Sequence, residues 1–293
     1  MKNYSNNENI PIDILIPEVL ELCEKIGMPE EAAKQVISKL DGMHQLYPEL
    51  IRLTSIDTGE DAYNKIKETC GEDDICVLAA QLTAAGITKR MFADKGYDLQ
   101  VFYETMHCFS LYVKEHIESF GRIGYDRGWW VWRQLSCTIF KLGTLEFETE
   151  VLCGYDYAGA KDGDTVISVH IPSDAVLSRE NLDDSYRMAR EFFARHDIKY
   201  SAAYCATWLL SPLLLEFLKE GSRILEFQKD YEIFGTNPDD RSYFNWVFKR
   251  EYPDWNDLPE DTSLQRNIKK HILGGGKISS GSGLLRNKYF CGL

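Results

Sequence analysis

The sequence predicts an α+β protein: a helical N-terminal lobe followed by a mixed β-sheet flanked by helices. Three observations carry this. Apolar residues recur at three- and four-residue spacing through the first 120 positions, the period of a helix buried on one face. After Phe120 the pattern alternates between strand-like and helix-like segments. The charge divides at the same place: residues 1–120 hold 21 acidic and 11 basic side chains, a net of −10, whereas residues 121–293 hold 25 and 22, a net of −3. The predicted domains are 1–120 and 121–293, with an alternative boundary near 153–163.

In the helical lobe, Pro17 precedes the stripe Val19, Leu20, Leu22, Cys23 and Ile26, and Gly27 follows it, as expected of helix termini. A second helix follows Pro29, with Ala32, Ala33, Val36, Ile37 and Leu40 recurring at three and four residues before Gly42. Helical spacing continues through Asp74–Ala85 and Leu99–Phe120. In the second part, Gln134–Leu142 and Leu145–Leu152 read as strands joined at Gly143-Thr144, a connection that a two-residue hairpin accepts. Leu145, Phe147, Thr149 and Val151 alternate with Glu146, Glu148 and Glu150, placing three carboxylates on one face. That face is either solvated or a surface that holds a cationic amine.

Thr165–Pro172 reads as a strand ended by proline, with His170 near its end. Ser178 caps a following helix whose Asp183 lies four residues before Arg187, a supporting pair. Tyr200–Leu210 is a further apolar run, and Ser211-Pro212 is suited to starting the next helix. Two strands linked through a helix are expected to run parallel, or as near neighbours in one mixed sheet. Ile224–Phe234 alternates as an amphipathic strand, Thr262–Gln265 matches a capping box ahead of Gly274, and the Gly/Ser-rich remainder reads as loop or hairpin.

The 293 residues are 44% hydrophobic with a net charge of −13, which excludes disorder and the basic footprint that nucleic-acid binding requires. No apolar run approaches the roughly 20 residues of a membrane span, and Met1–Asn9 is polar, so no membrane association and a cytoplasmic location are expected. The eight cysteines lack C-x-x-C or Cys/His spacing and read as reduced, mostly buried thiols; no metal is expected. The signatures of nucleophile-elbow hydrolases, HExxH zinc proteases and dinucleotide-binding Rossmann folds are absent, as is a P-loop, because the Gly276-Lys277 pair is followed by Ile278.

The segments VHIPSDAVLSRENLDDSYRMAREFF, YCATWLLSPLLLEFL, RILEFQKDYEIFG and LPEDTSLQRNIKKHILGGGK, with WWVWRQ and LGTLEFE upstream, resemble a bacterial family of acyltransferase-domain proteins. That family joins a helical N-terminal domain to a GNAT-like C-terminal domain. The resemblance covers most of the chain from about Gly121 and, more loosely, the helices before it. It implies a GNAT-like mixed sheet and acyl-CoA, for example acetyl-CoA, as co-substrate. The CoA would lie where the strand ending at His170 parts from the strand around Cys205, with Ile171, Ser173, Trp208 and Ser211 beside it. The acceptor would be a small-molecule amine or a peptide amine. GNAT enzymes hold pyrophosphate on a Q/R-x-x-G-x-G/A turn; here the turn is PSDAVLS, without glycine and with the negative charge of Asp174.

Acyl transfer to an amine needs a base, a polarised thioester oxygen and a proton for the leaving thiolate, but no covalent enzyme intermediate. His170 is the candidate base, or else a hydrogen-bonded structural histidine. Glu146 is the alternative base or an amine-holding carboxylate, with Glu148 on the same face. Cys205 is either core packing or a thioester-exchanging nucleophile. Trp208 lines the acyl pocket or packs the core; Ser211 donates a hydrogen bond or caps a helix. Trp130, in the tryptophan-rich stretch Trp129–Trp132, forms a binding wall or packs aromatically between the lobes. The alternative for the whole chain is a catalytically inactive GNAT-like ligand-binding or regulatory module.

Overall fold

The computed structural model describes residues 11–153, 156, 160–288 and 290; Met1–Asn9 and Cys291 lie outside them. The chain forms two compact units, Met1–Lys141 and Leu142–Leu293. The division falls later than the charge shift suggests because the segment after Phe120 packs into the helical unit. There Gln81 donates to the Gly128 carbonyl (2.8 Å) and Thr88 to the Leu135 carbonyl (2.7 Å), while Tyr125 donates to Gln81 (2.7 Å).

The first unit contains α1 (Ile12–Lys25), α2 (Glu30–Ile37), α3 (Met43–Leu53), α4 (Gly59–Cys70), α5 (Asp74–Lys95), α6 (Leu99–Phe120) and α7 (Gly128–Leu135). Helix α5 is buried along most of its length, and α1, α3, α4 and α7 pack on it; Ala79, Ala80, Ala84 and Ala85 permit that close approach. Two expectations change here. Helix α1 starts at Ile12 and carries Pro17 in its interior. The residues read as the beginning of a strand at Gln134 close helix α7 instead, since Val131 and Leu135 supply a helical apolar face.

Cys70 ends α4 and Cys76 lies in the first turn of α5, and the short link brings them into a disulfide. This corrects the reduced-thiol reading for that pair. Cys23, Cys108, Cys137 and Cys205 are buried thiols and Cys153 an exposed one. No helix among the described residues is long and apolar enough to cross a membrane.

The sheet contains β1 (Ile139–Leu142), β2 (Leu145–Val151), β3 (Thr165–His170), β4 (Ala202–Thr207), β5 (Tyr231–Asn237) and β6 (Ser280–Leu285), in the order β1-β2-β3-β4-β6-β5. The β3–β4 pair is parallel, and β2–β3, β4–β6 and β5–β6 are antiparallel. Gly143 takes the β1–β2 turn at φ +73°, where a Cβ would also meet the backbone of Ser185 at 3.1 Å. The crossover from β3 to β4 is α8 (Arg179–Arg195), capped by Ser178 as expected. Its supporting ion pairs are Arg179–Asp183, Arg187–Asp184 and Arg187–Glu191, not the predicted Asp183–Arg187. One face of the sheet packs an aromatic core in which Phe147 stacks on Phe290 and meets Tyr186 and Phe193 of α8 edge-on.

After β4 come α9 (Leu214–Phe217), α10 (Arg223–Gln228), α11 (Tyr243–Val247) and α12 (Ser263–Leu273). The amphipathic run at Ile224 is thus α10 followed by β5, because Ser222 caps a helix over its first part. The capping box at Thr262 and Gln265 forms as read. Of the Gly/Ser-rich remainder, residues 274–279 form a loop as read, but Ser280–Leu285 supplies β6, lying between β4 and β5. A Cβ at Gly281 would run into the Leu210 carbonyl, so the small residues let the turn after β4 lie directly on this strand.

Candidate active site

The β2–β3 register sets Glu146 opposite His170, Glu148 opposite Ser168 and Glu150 opposite Val166. The β3–β4 register then sets Ser168 beside Tyr204. Side chains of directly paired residues share a face. Glu146, Glu148, Glu150, His170 and Tyr204 therefore lie together, on the face opposite the aromatic core. The solvated-face reading fails: Glu148 is 2% exposed and Glu146 5%, while Glu150 is half-buried. Buried carboxyls persist where hydrogen bonds or charge compensate their desolvation.

Such partners are present. The His170 Nε2 lies 2.8 Å from a Glu148 oxygen, and the Tyr204 hydroxyl donates to Glu150 at 2.5 Å. Burial holds the Glu150 carboxyl above its ordinary range, the neighbouring Glu148 charge adds to this, and the Tyr204 hydroxyl opposes it. Acceptor atoms of Glu148, Glu150 and His170 lie within 4.8 Å of one another, close enough to converge on a cation. Each is already in a hydrogen bond, however, and the group has the character of a hydrogen-bonded cluster.

At this cluster the sheet opens. Strands β3 and β4 pair through Val166–Ser168 and Ala202–Tyr204 and no further, although β3 runs on to His170 and β4 to Thr207. Had pairing continued, Val169 would have met Cys205 and His170 would have met Ala206. Instead Ala206, on an interior strand, is exposed. The continuation of β3 leads to Ile171, half-buried, and Ser173, exposed. The turn there is tied to the β1–β2 turn, where Thr144 accepts from the Val176 amide at 2.8 Å.

The other predicted residues are placed apart from the cluster. Cys205 has the opposite parity to Tyr204, so it faces the aromatic core; it is fully buried, and burial pushes its thiol well above the ordinary value. The fold does not bring it to His170. Trp208 packs against the cluster around Phe244, Phe248 and Ile268. Ser211 is fully buried, its hydroxyl 3.4 Å from that of Ser279 and its carbonyl bound by Gln228; it is not the N-cap of α9, which is Leu213. Trp130 belongs to the helical unit, where the Arg133 guanidinium lies 3.9 Å from the centre of its ring. Tyr204 was missed by sequence reasoning: in an apolar run nothing marks it, and only the β3–β4 register brings it to Glu150.

Comparison with known proteins agrees with this architecture. Residues 17–137 match the family model of an N-acyltransferase N-terminal domain, and residues 139–285 that of a GNAT-like C-terminal domain. No curated protein matches the sequence. Among solved structures, an acyltransferase in complex with decanoyl-CoA and teicoplanin is 22% identical, with 92% of this chain and 87% of that chain covered and a TM-score of 0.73. A mutant acyltransferase in complex with octanoyl-CoA is 21% identical over the same shares, with a TM-score of 0.76. From these two adjoining matches, which together span nearly all of the described residues, the chain belongs to the family that joins an N-acyltransferase N-terminal domain to a GNAT-like C-terminal domain.

Proposed function

We propose that the protein is an acyl-CoA-dependent N-acyltransferase that moves the acyl group to a small amine or peptide amine by direct attack. The observation that carries this reading is the end of β3–β4 pairing at Ser168 and Tyr204, with the His170–Glu148 pair beside the opening. Strand backbone beyond the last β3–β4 pair offers donors and acceptors to the amides of a pantetheine arm. The acyl-CoA complexes of the structural neighbours support the same co-substrate, and the teicoplanin complex favours a peptide-like acceptor.

His170 acts as the base. Its imidazole takes a proton from the acceptor ammonium, and Glu148, 2.8 Å from Nε2, stabilises the imidazolium formed. The amine nitrogen attacks the thioester carbonyl, the C–S bond breaks, and the thiolate takes up the second proton that the nitrogen loses in becoming an amide. Cys205 has no part, which removes the covalent route. A second reading, an inactive ligand-binding module, is favoured by the glycine-free PSDAVLS turn and its Asp174.

Free-thiol release from octanoyl-CoA, measured with a panel of primary amines, separates the two. Amine-dependent release that His170→Gln abolishes supports the enzyme. Binding of CoA without release from any amine supports the module.

A further inference from the structure

The chemistry of the proposed reaction leaves one proton over. An ammonium acceptor loses two protons in becoming an amide; one ends on the thiol of CoA and the other must reach solvent. His170 can take that proton but must then discharge it, and its Nε2 faces a carboxyl that is 2% exposed.

We propose that Glu148 and Glu150 hold one proton between them and exchange it between His170 and solvent at the half-buried Glu150, so that Glu150 and Tyr204 are positioning residues for the base. The two carboxyls lie two residues apart on the same strand face, with acceptor atoms within 4.8 Å of each other and of His170. His170 occupies a Glu148 oxygen from one side, and the Tyr204 hydroxyl occupies a Glu150 oxygen from the other. The cluster is thus bracketed by donors at both ends, with the two carboxyls adjoining in the middle. Two like charges at such separation under burial cannot both ionise cheaply, and one shared proton relieves the repulsion.

The path also leads outward. On this face of β2 exposure rises from the buried Glu148 to the half-buried Glu150. Among the described residues of β2 to β6, the titratable groups that the registers place on the same face are Glu146 of β2, His170 of β3, Tyr204 of β4 and, two strands beyond Tyr204, Glu232 of β5, which is paired with Arg286. The direction of the Glu150 shift, upward through burial and then through Glu148, agrees with a retained proton.

The purpose of this pair rests on the acyl-transfer reading, but its observable does not. Infrared titration of the full chain in D2O reads the protonated-carboxyl stretch directly. The proposal predicts that the band persists at neutral pH, and that Glu148→Gln and Glu150→Gln each remove one carboxyl equivalent, since either leaves a single carboxylate free to ionise. Tyr204→Phe, which deletes a donor to the anion, keeps the band and moves its midpoint to higher pH. A parent spectrum without the band at neutral pH overturns the proposal, even if a variant fails to fold. So does a band that neither glutamine variant diminishes. Octanoyl-CoA turnover by His170→Gln is scored separately: retained turnover there sinks the base assignment and leaves the shared proton standing.

Discussion

Replacing His170 distinguishes a catalytic from a structural histidine, because the two roles respond differently to two substitutions. His170→Ala removes both the ring and the partner that Glu148 holds at 2.8 Å. Leaving a buried acceptor without that bond costs about 1–3 kcal/mol. For a unit of this size, 2 kcal/mol lowers the melting temperature by roughly 4–8 °C. His170→Gln keeps an N–H able to reach the carboxylate but supplies no base at neutral pH, so most of the stability returns. Loss of a general base slows the reaction by about 100- to 10,000-fold, equivalent to roughly 3–5 kcal/mol of barrier. Thermal melting and thiol release from octanoyl-CoA, run in parallel, should show alanine unstable and inactive and glutamine stable and inactive. A glutamine variant within about threefold of the parental rate would refute the assignment, since that is under 1 kcal/mol of barrier.

Three further outcomes follow from the fold. Cys205→Ser should retain parental thiol release, because the side chain is fully buried on the other face of the sheet; the melt should show a cost of about 1 kcal/mol or somewhat more for a buried hydroxyl. Loss of turnover without loss of folding would restore the covalent route. Reduction of Cys70–Cys76, which closes a short loop between α4 and α5, should lower stability by about 2 kcal/mol, read as a melting shift with and without dithiothreitol. An unchanged melt would mean that the cross-link contributes nothing. For Glu150, burial raises the folded-state carboxyl above 4.5, so its stabilisation is complete below that pH and is lost as pH rises through the folded value. Glu150→Gln removes that loss, and its melting temperature relative to the parent should improve from acidic to neutral pH; a constant difference would contradict the assignment.

The elements with strong local signals were legible from the sequence. Helix α6, the Gly143 turn, β3, the Ser178 cap and the Thr262 capping box each depend on a few neighbouring residues, and each forms as read. Elements decided by distant packing were not. The Ser280–Leu285 segment has the composition of a loop, yet it fills an interior strand because the Leu210 turn needs a neighbour without side chains at Gly281. Helix α10 hides within an alternating pattern whose first half answers to its cap instead. The acidic face was visible as alternation along β2, but its burial was not, because burial depends on what covers a face rather than on its period. His170 was placed at a strand end from its own segment, whereas its pairing with Glu148 needed the β2–β3 register and the role of Tyr204 needed a second register on β4. The disulfide lay in the helix boundaries, which sequence spacing alone does not fix.

The opening between β3 and β4 can be probed without knowing the acceptor. Hydrogen–deuterium exchange of the full chain, with and without saturating octanoyl-CoA, reports which backbone amides the ligand covers. Protection gained at Val169–Ile171 and around Cys205–Thr207, with little change along β5, is the predicted result. Binding that leaves both segments exchanging as before would contradict the proposed seat of the thioester, and with it the role given to His170.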